Sequence, residues 1–216
     1  MPTVIPSTPV AIEGTNGEST RGAPRTPSVA LAACARRLTI AEYDRLIESG
    51  LLPSGDKVEL VAGMVIDKMG RNRPHIQAVK RGLEALTKVL PAGWHVAKED
   101  PVAVPEWSKP EPDLAIVRGA VGDYDDRDVT AADIALVVEV ADSSLAIDQV
   151  DKARVYAAGG IPTYWIVNLV ERRLEVHTDP GPEGYRAVRT LSAGNQVPVV
   201  VEQGVVGLVA VSDILP

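Results

Sequence analysis

The chain has 216 residues, enough for one domain with a sizeable core, and 45% of them are apolar. Its single cysteine, Cys34, excludes an intrachain disulfide and a cysteine-built zinc cage, and points to a reducing, cytoplasmic setting. A formal net charge of −7 excludes a protein held to nucleic acid by bulk positive charge, and no apolar run approaches the roughly 20 residues that a membrane helix needs.

Residues 1–35 carry Pro, Thr, Ser and Gly without helical or strand periodicity. They read as a disordered tail, which leaves 36–216 as the folded domain. Leu31-Ala32-Ala33-Cys34 has the form of a bacterial lipoprotein box. The segment before it is broken by Pro24 and Pro27 and lacks the long apolar stretch of a signal peptide, so a chance tetrapeptide is the preferred reading. Thr39 with Glu42 three residues on is a capping box, which predicts a helix to about Ser49, stopped at Gly50. Lys57 to Met69 predicts a hairpin turning at Ala62-Gly63. Ile76, Val79, Leu83, Leu86 and Leu90 recur at helical spacing and predict a second helix over 74–90 with those residues buried. Strands are expected at 94–99, 113–117 and 134–140. A helix over 148–158 should end at Gly159-Gly160, with further strands at 163–168, 174–178 and 185–191. The last apolar segment, 205–215, should pack as a closing strand or turn. This order predicts an α/β or α+β domain: a mixed sheet flanked by helices, preceded by an N-terminal helix and hairpin.

Two acidic residues interrupt this apolar pattern. Asp113 opens Leu114-Ala115-Ile116-Val117, and Glu139 sits inside Val137-Val138-Glu139-Val140. A carboxylate in a buried strand is costly unless it is paired, protonated or bound to a metal. Asp113 could instead cap a turn after Pro112, and Glu139 could be a strand-end residue facing water. Asp148 and Lys152 are spaced to share one helical face, which by itself favours an ordinary surface ion pair. No phosphate-binding loop, nucleophile elbow or zinc helix is present.

These residues carry a resemblance. Val58-Glu59-Leu60-Val61-Ala62-Gly63, His75, Pro112-Asp113, Val137-Val138-Glu139-Val140, Asp148 with Lys152, and Gly160-Ile161-Pro162-Thr163-Tyr164-Trp165 occur in the order found in the Uma-two restriction endonuclease family. That family is part of the PD-(D/E)XK nuclease superfamily. The chain departs from the pattern at Ala62, where members usually have Asp, and at Asp142-Ser143-Ser144, where they often have Ser-Pro-Ser.

The resemblance implies a restriction-endonuclease-like fold and a metal-dependent endonuclease acting on nucleic acid, DNA above all. It implies Mg²⁺ or Mn²⁺ held by Asp113, Glu139 and the backbone carbonyl of Val140, which suits a hard cation that takes oxygen ligands. The superfamily lysine usually lies two residues after the glutamate, where this chain has Ala141, and its role passes to Lys152. Glu59 and His75 join the catalytic set, Glu59 as a ligand or supporting acceptor unless it is the exposed face of its strand. Arg73, Lys80, Arg81 and Lys88 form the clearest basic cluster, a candidate nucleic-acid face on the second helix. Monomer or homodimer is left open. The alternative reading is an inactive nuclease fold that binds nucleic acid or protein.

Overall fold

A computed structural model describes residues 35–52, 58–202 and 204–216. The expected disordered tail, with the chance tetrapeptide 31–34, falls almost wholly on residues 1–34, outside the described residues. Arg36–Pro216 forms one compact unit, and the fold is that of this unit.

Helix α1 (Ile40–Glu48) begins where the capping box predicts. Thr39 Oγ1 accepts the Glu42 N–H at 3.2 Å, and Glu42 Oε2 accepts the Thr39 N–H at 3.0 Å. The hairpin β1 (Val58–Val61) and β2 (Met64–Asp67) turns at Ala62 and Gly63, with φ of 51° and 79°. Two consecutive left-handed residues give the tight turn whose twist matches paired strands. A Cβ on Gly63 would lie 2.5 Å from Arg37 Cβ, so this position also needs glycine for space.

Helix α2 (Arg73–Val89) is capped by Asn72, with Pro74 in its first turn. It buries Ala78, Val79, Gly82 and Leu86. Ile76, expected on the buried stripe, is 40% exposed. It lies at the edge of the stripe, where α2 overhangs a cavity.

Strands β3 (Trp94–Ala97), β5 (Leu114–Arg118), β7 (Ile134–Ala141), β8 (Thr163–Asn168), β9 (Arg173–Gly181) and β10 (Gly184–Leu191) form one six-stranded sheet, ordered β10-β9-β8-β7-β5-β3. Only β7 and β8 pair in parallel, so the sheet is mixed as expected. A parallel pair needs a crossover, and helix α3 supplies it. It runs as Leu145–Ile147, a wide π turn over Asp148–Lys152, and Ala153–Ala158. Its start, one turn earlier than the sequence suggests, and its π turn have no periodic signature.

Every residue of β7 is buried, because the sheet is covered on both faces. One face packs on α2 through Leu114, Ile116, Leu136, Val138, Trp165 and Val167. The same layer holds the hairpin β11 (Gln196–Val201) and β12 (Gly204–Ala210), with helix α4 (Val211–Ile214). The other face packs on α3 and the β1–β2 hairpin through Val117, Val137, Tyr156, Tyr164 and Ile166. The closing segment is thus a strand and a short helix, and its partner β11 is an addition to the sequence reading. So is the two-residue parallel pair of β4 (Val102–Ala103) with β6 (Val129–Thr130), too short to leave a pattern. Among the described residues no helix is long and apolar enough to cross a membrane.

Candidate active site

Strands β5 and β7 run antiparallel, with Leu114 opposite Val138. One step further along this register sets Asp113 opposite Glu139, on the face covered by α3. Asp113 Oδ2 accepts the Val140 N–H at 2.7 Å, and His75 Nε2 lies 3.3 Å from the same oxygen. His75 stands in the first turn of α2, where Asn72 caps its N–H at 3.0 Å. The Asn72 amide also donates to Asp142, so the loop after β7 fixes the end of the helix that carries His75.

Lys152 reaches in from the π turn of α3. Its Nζ lies 3.0 Å from Glu139 Oε1, 2.9 Å from Glu59 Oε1 and 4.0 Å from Asp148 Oδ1. The alternating pattern of β1 allowed Glu59 to face water, but the hairpin folds over the site and buries it. The second Glu59 oxygen accepts the Glu111 N–H at 3.0 Å. Tyr156, one turn beyond Lys152, donates to Glu139 Oε1 at 2.8 Å. Ser144 donates to Asp148, and Tyr164 donates to the Asp148 carbonyl at 3.1 Å. Asp148 and Lys152 are both buried, so they are not a surface pair.

Glu59, His75, Asp113, Glu139, Ser144, Asp148 and Lys152 line a cavity of about 60 Å³. Four carboxylates, Glu59, Asp113, Glu139 and Asp148, face one buried ammonium there. Burial pushes the Glu139 carboxyl upward; Lys152 opposes this, and the neighbouring carboxylates add to it. Burial likewise raises Asp148 to about 6 against the pull of Lys152. For Lys152 burial works downward, but Glu139, Glu59 and Asp148 outweigh it and hold the ammonium protonated. Burial also raises Tyr156 well above the ordinary tyrosine range, so its hydroxyl remains a donor to Glu139.

A largely buried pocket with excess carboxylate charge and hard oxygen donors fits a small divalent cation. Among the described residues no three His, Cys, Asp or Glu side chains stand as a finished cage. Lys152 already stands between Glu139 and Glu59, which leaves Asp113 and the pocket side of Glu139. Two carboxylates suffice for Mg²⁺, which keeps several waters.

The structure therefore brings Asp113, Glu139, Val140, Lys152, Glu59 and His75 to one pocket. It does not bring the four basic residues of α2 together. Lys80 lines a second cavity with Arg71 and Lys98. Arg81 donates to the Leu215 carbonyl at 2.5 Å and, with Lys88, lines a groove against β12 and α4 that also contains Glu84 and Asp213. Lys88 is paired with Glu84 at 2.6 Å, and Arg73 is exposed. Sequence reasoning did not find the contact of Ser144 with Asp148 or that of Tyr156 with Glu139. The helical spacing of Tyr156 from Lys152 was the available signal for the second; the first had none.

A family model described as "Putative restriction endonuclease", Uma2, matches residues 40–210. The chain belongs to the Uma2 family. The matched span runs from the first residue of α1 to the last of β12, so it contains every strand and the whole pocket. The fold is also that of a crystal structure described as a putative nuclease belonging to DUF820 from Anabaena variabilis. The two share 13% identity and a TM-score of 0.62, over 82% of this chain and 97% of that one. No curated protein matches the chain. The Uma2 assignment agrees with the resemblance carried by the ordered motifs, and the solved structure agrees with the expected nuclease-like fold.

Proposed function

We propose that this Uma2 member is a metal-dependent endonuclease that hydrolyses phosphodiester bonds in nucleic acid, with DNA as the preferred substrate. The observation that carries this reading is the convergence of Asp113, Glu139 and Lys152 in one buried pocket, from two strands and a crossover helix. A binding module has no need to bury an ammonium among four carboxylates at such desolvation cost.

Asp113 and Glu139, with the carbonyl of Val140, would hold Mg²⁺ or Mn²⁺. When bound, the cation supplies charge relief at the phosphate and an activated water. Tyr156 occupies one Glu139 oxygen and fixes the carboxylate from behind. His75 and the Val140 N–H fix that of Asp113. Lys152, kept charged by Glu59 and Glu139, is a fixed positive group for the charge that develops on the phosphate. It is therefore an electrostatic stabiliser and not a base.

The test is a Mn²⁺-supplemented cleavage assay over single- and double-stranded DNA and RNA, with Asp113→Ala as the control. The expected result is cleavage by the wild-type chain. Asp113→Ala should lose both cleavage and the Mn²⁺ binding seen by titration calorimetry. A wild-type chain that cuts none of these forms would make it a nuclease-fold binding module instead.

A further inference from the structure

A second cavity adjoins the catalytic pocket. Its volume is about 220 Å³, and the two share the side chains of Arg71 and His75 as a common wall. Its floor is apolar, made of Ile76 and Val79. Its rim is cationic, made of Arg71, Lys80 and Lys98, with Glu99 as its one carboxylate. Glu99 pairs with Arg71 at 2.8 Å and with Lys98 at 3.1 Å, and its N–H donates to the Asp113 carbonyl at 3.3 Å. The rim is thus tied directly to the strand that presents Asp113.

Three features of this cavity point to one class of occupant. Its rim gathers three cations in a chain whose net charge is −7, and clustered cations beside a phosphodiester site match a phosphate backbone. Its floor leaves Ile76 40% exposed, where burial by the fold would have been favourable. Its volume is below the roughly 300 Å³ at which pockets for separate small molecules begin, which suits one unit of a longer chain. The catalytic pocket, at about 60 Å³, has room for reacting atoms but not for the nucleotide beyond them.

We propose that this cavity seats the nucleotide next to the scissile phosphate in a single nucleic-acid strand. Its phosphate lies against Lys80 and Lys98, and its base or sugar lies on Ile76 and Val79. The aliphatic stems of Arg71, Lys80 and Lys98 extend the apolar floor while their charged ends face the backbone. The path of the strand then follows this flank of α2, and not the groove lined by Arg81 and Lys88. The inference rests on the nuclease reading above.

The test measures binding apart from cleavage. Anisotropy of a 5′-labelled single-stranded DNA of about 16 nucleotides, in Ca²⁺ in place of Mn²⁺, reads affinity across a salt series. Lys80→Ala/Lys98→Ala should weaken binding about tenfold and reduce the slope of log K against log salt by about 0.7, as expected for one phosphate no longer neutralised. Arg81→Ala/Lys88→Ala should cost less. Wild-type affinity and slope in the Lys80/Lys98 variant, or a larger loss in the Arg81/Lys88 variant, overturns the inference, as does a wild-type chain that does not bind the strand. Cleavage in Mn²⁺ separates the two readings. A wild-type chain that does not cut but binds through Lys80 and Lys98 sinks the nuclease reading and keeps the cavity. One that cuts, and whose Lys80/Lys98 variant binds and cuts as well, does the reverse.

Discussion

Lys152 shows how a side chain that is costly to bury can be held by its partners. Its ammonium is almost wholly removed from water, and it is tolerated because Glu59 and Glu139 each lie within 3.0 Å. Lys152→Ala leaves those carboxylates without their cation. We expect it to lower stability by about 3 kcal/mol in urea unfolding, the usual cost of breaking a buried pair from one side. Cleavage should fall by about a hundredfold or more in single-turnover assays, the size of loss seen when a fixed electrostatic donor is removed. Mn²⁺ binding should survive, since the ammonium is not a ligand. A Lys152→Ala protein that cuts at the wild-type rate would show that Lys152 serves only the fold. Ala141 illustrates the complementary point. It occupies the position where the wider superfamily keeps its lysine, and here it is fully buried against the α3 layer, with no space for a longer side chain to reach Glu139 without repacking.

At the scale of elements, the site depends on how α3 is fastened to the sheet. Gln149, inside the π turn that carries Lys152, donates to both oxygens of Glu175 on β9, at 3.1 and 2.9 Å. Asn168 on β8 donates to Glu175 at 2.8 Å, and Arg173 at 3.0 Å. Burial works to raise the Glu175 pKa, but these hydrogen bonds outweigh it and the net shift is downward. A carboxylate with a depressed folded pKa contributes stability above its unfolded pKa and loses it as pH falls through the folded one. Glu175→Gln should therefore cost about 2 kcal/mol at neutral pH, the scale of hydrogen bonds to a charged group. The difference should close as the pH falls below the ordinary glutamate value of 4.5. A gap that stays constant down to acid pH would show that the charge of Glu175 is not what holds the turn. The opposite layer offers a steric test. A Cβ on Gly207 of β12 would lie 2.6 Å from Val89 Cβ on α2. Gly207→Ala should push the β11–β12 hairpin off the helix and cost about 2 kcal/mol, read as a lower urea midpoint. An unchanged midpoint would mean that the hairpin shifts freely over α2.

For the whole molecule, the pocket lies at the end of the sheet where β5 begins and β7 ends, and it is closed by parts distant in the chain. The β1–β2 hairpin supplies Glu59, α2 supplies His75 and α3 supplies Lys152. Every one of these belongs to the unit Arg36–Pro216. Residues 1–35 carry no apolar periodicity in the sequence, so a chain beginning at Arg36 should melt within about 3 °C of the full chain and keep its cleavage rate. A larger drop in melting temperature would show that the first residues belong to the folded unit.

Much of this architecture follows from local rules. The Thr39–Glu42 cap, the Ala62-Gly63 turn, the Asn72 cap ahead of Pro74 and the stop at Gly159-Gly160 are short-range chemistry, and each is readable from a few neighbouring residues. The unbroken apolar run around Glu139 identified a buried strand with an acidic residue to account for. What local pattern could not decide was where long side chains point. Glu59 and Lys152 each had an exposed and a buried reading at equal spacing, because a period of two or 3.6 defines a face and not what covers it. Ile76 matched the buried stripe by period, yet it stands over a cavity because nothing else in the fold covers that edge of α2. Arg71 and Lys98 belong to different segments, and only the packing of α2 beside β3 gives them a common rim. Glu139 and Lys152 are 13 residues apart, a separation closed by the crossover from β7 through α3 to β8. The sequence by itself therefore determined the longer helices and strands and the acidic strand positions, through propensity and periodicity. The tertiary structure decided which charges share one pocket, because that depends on layers meeting from distant parts of the chain.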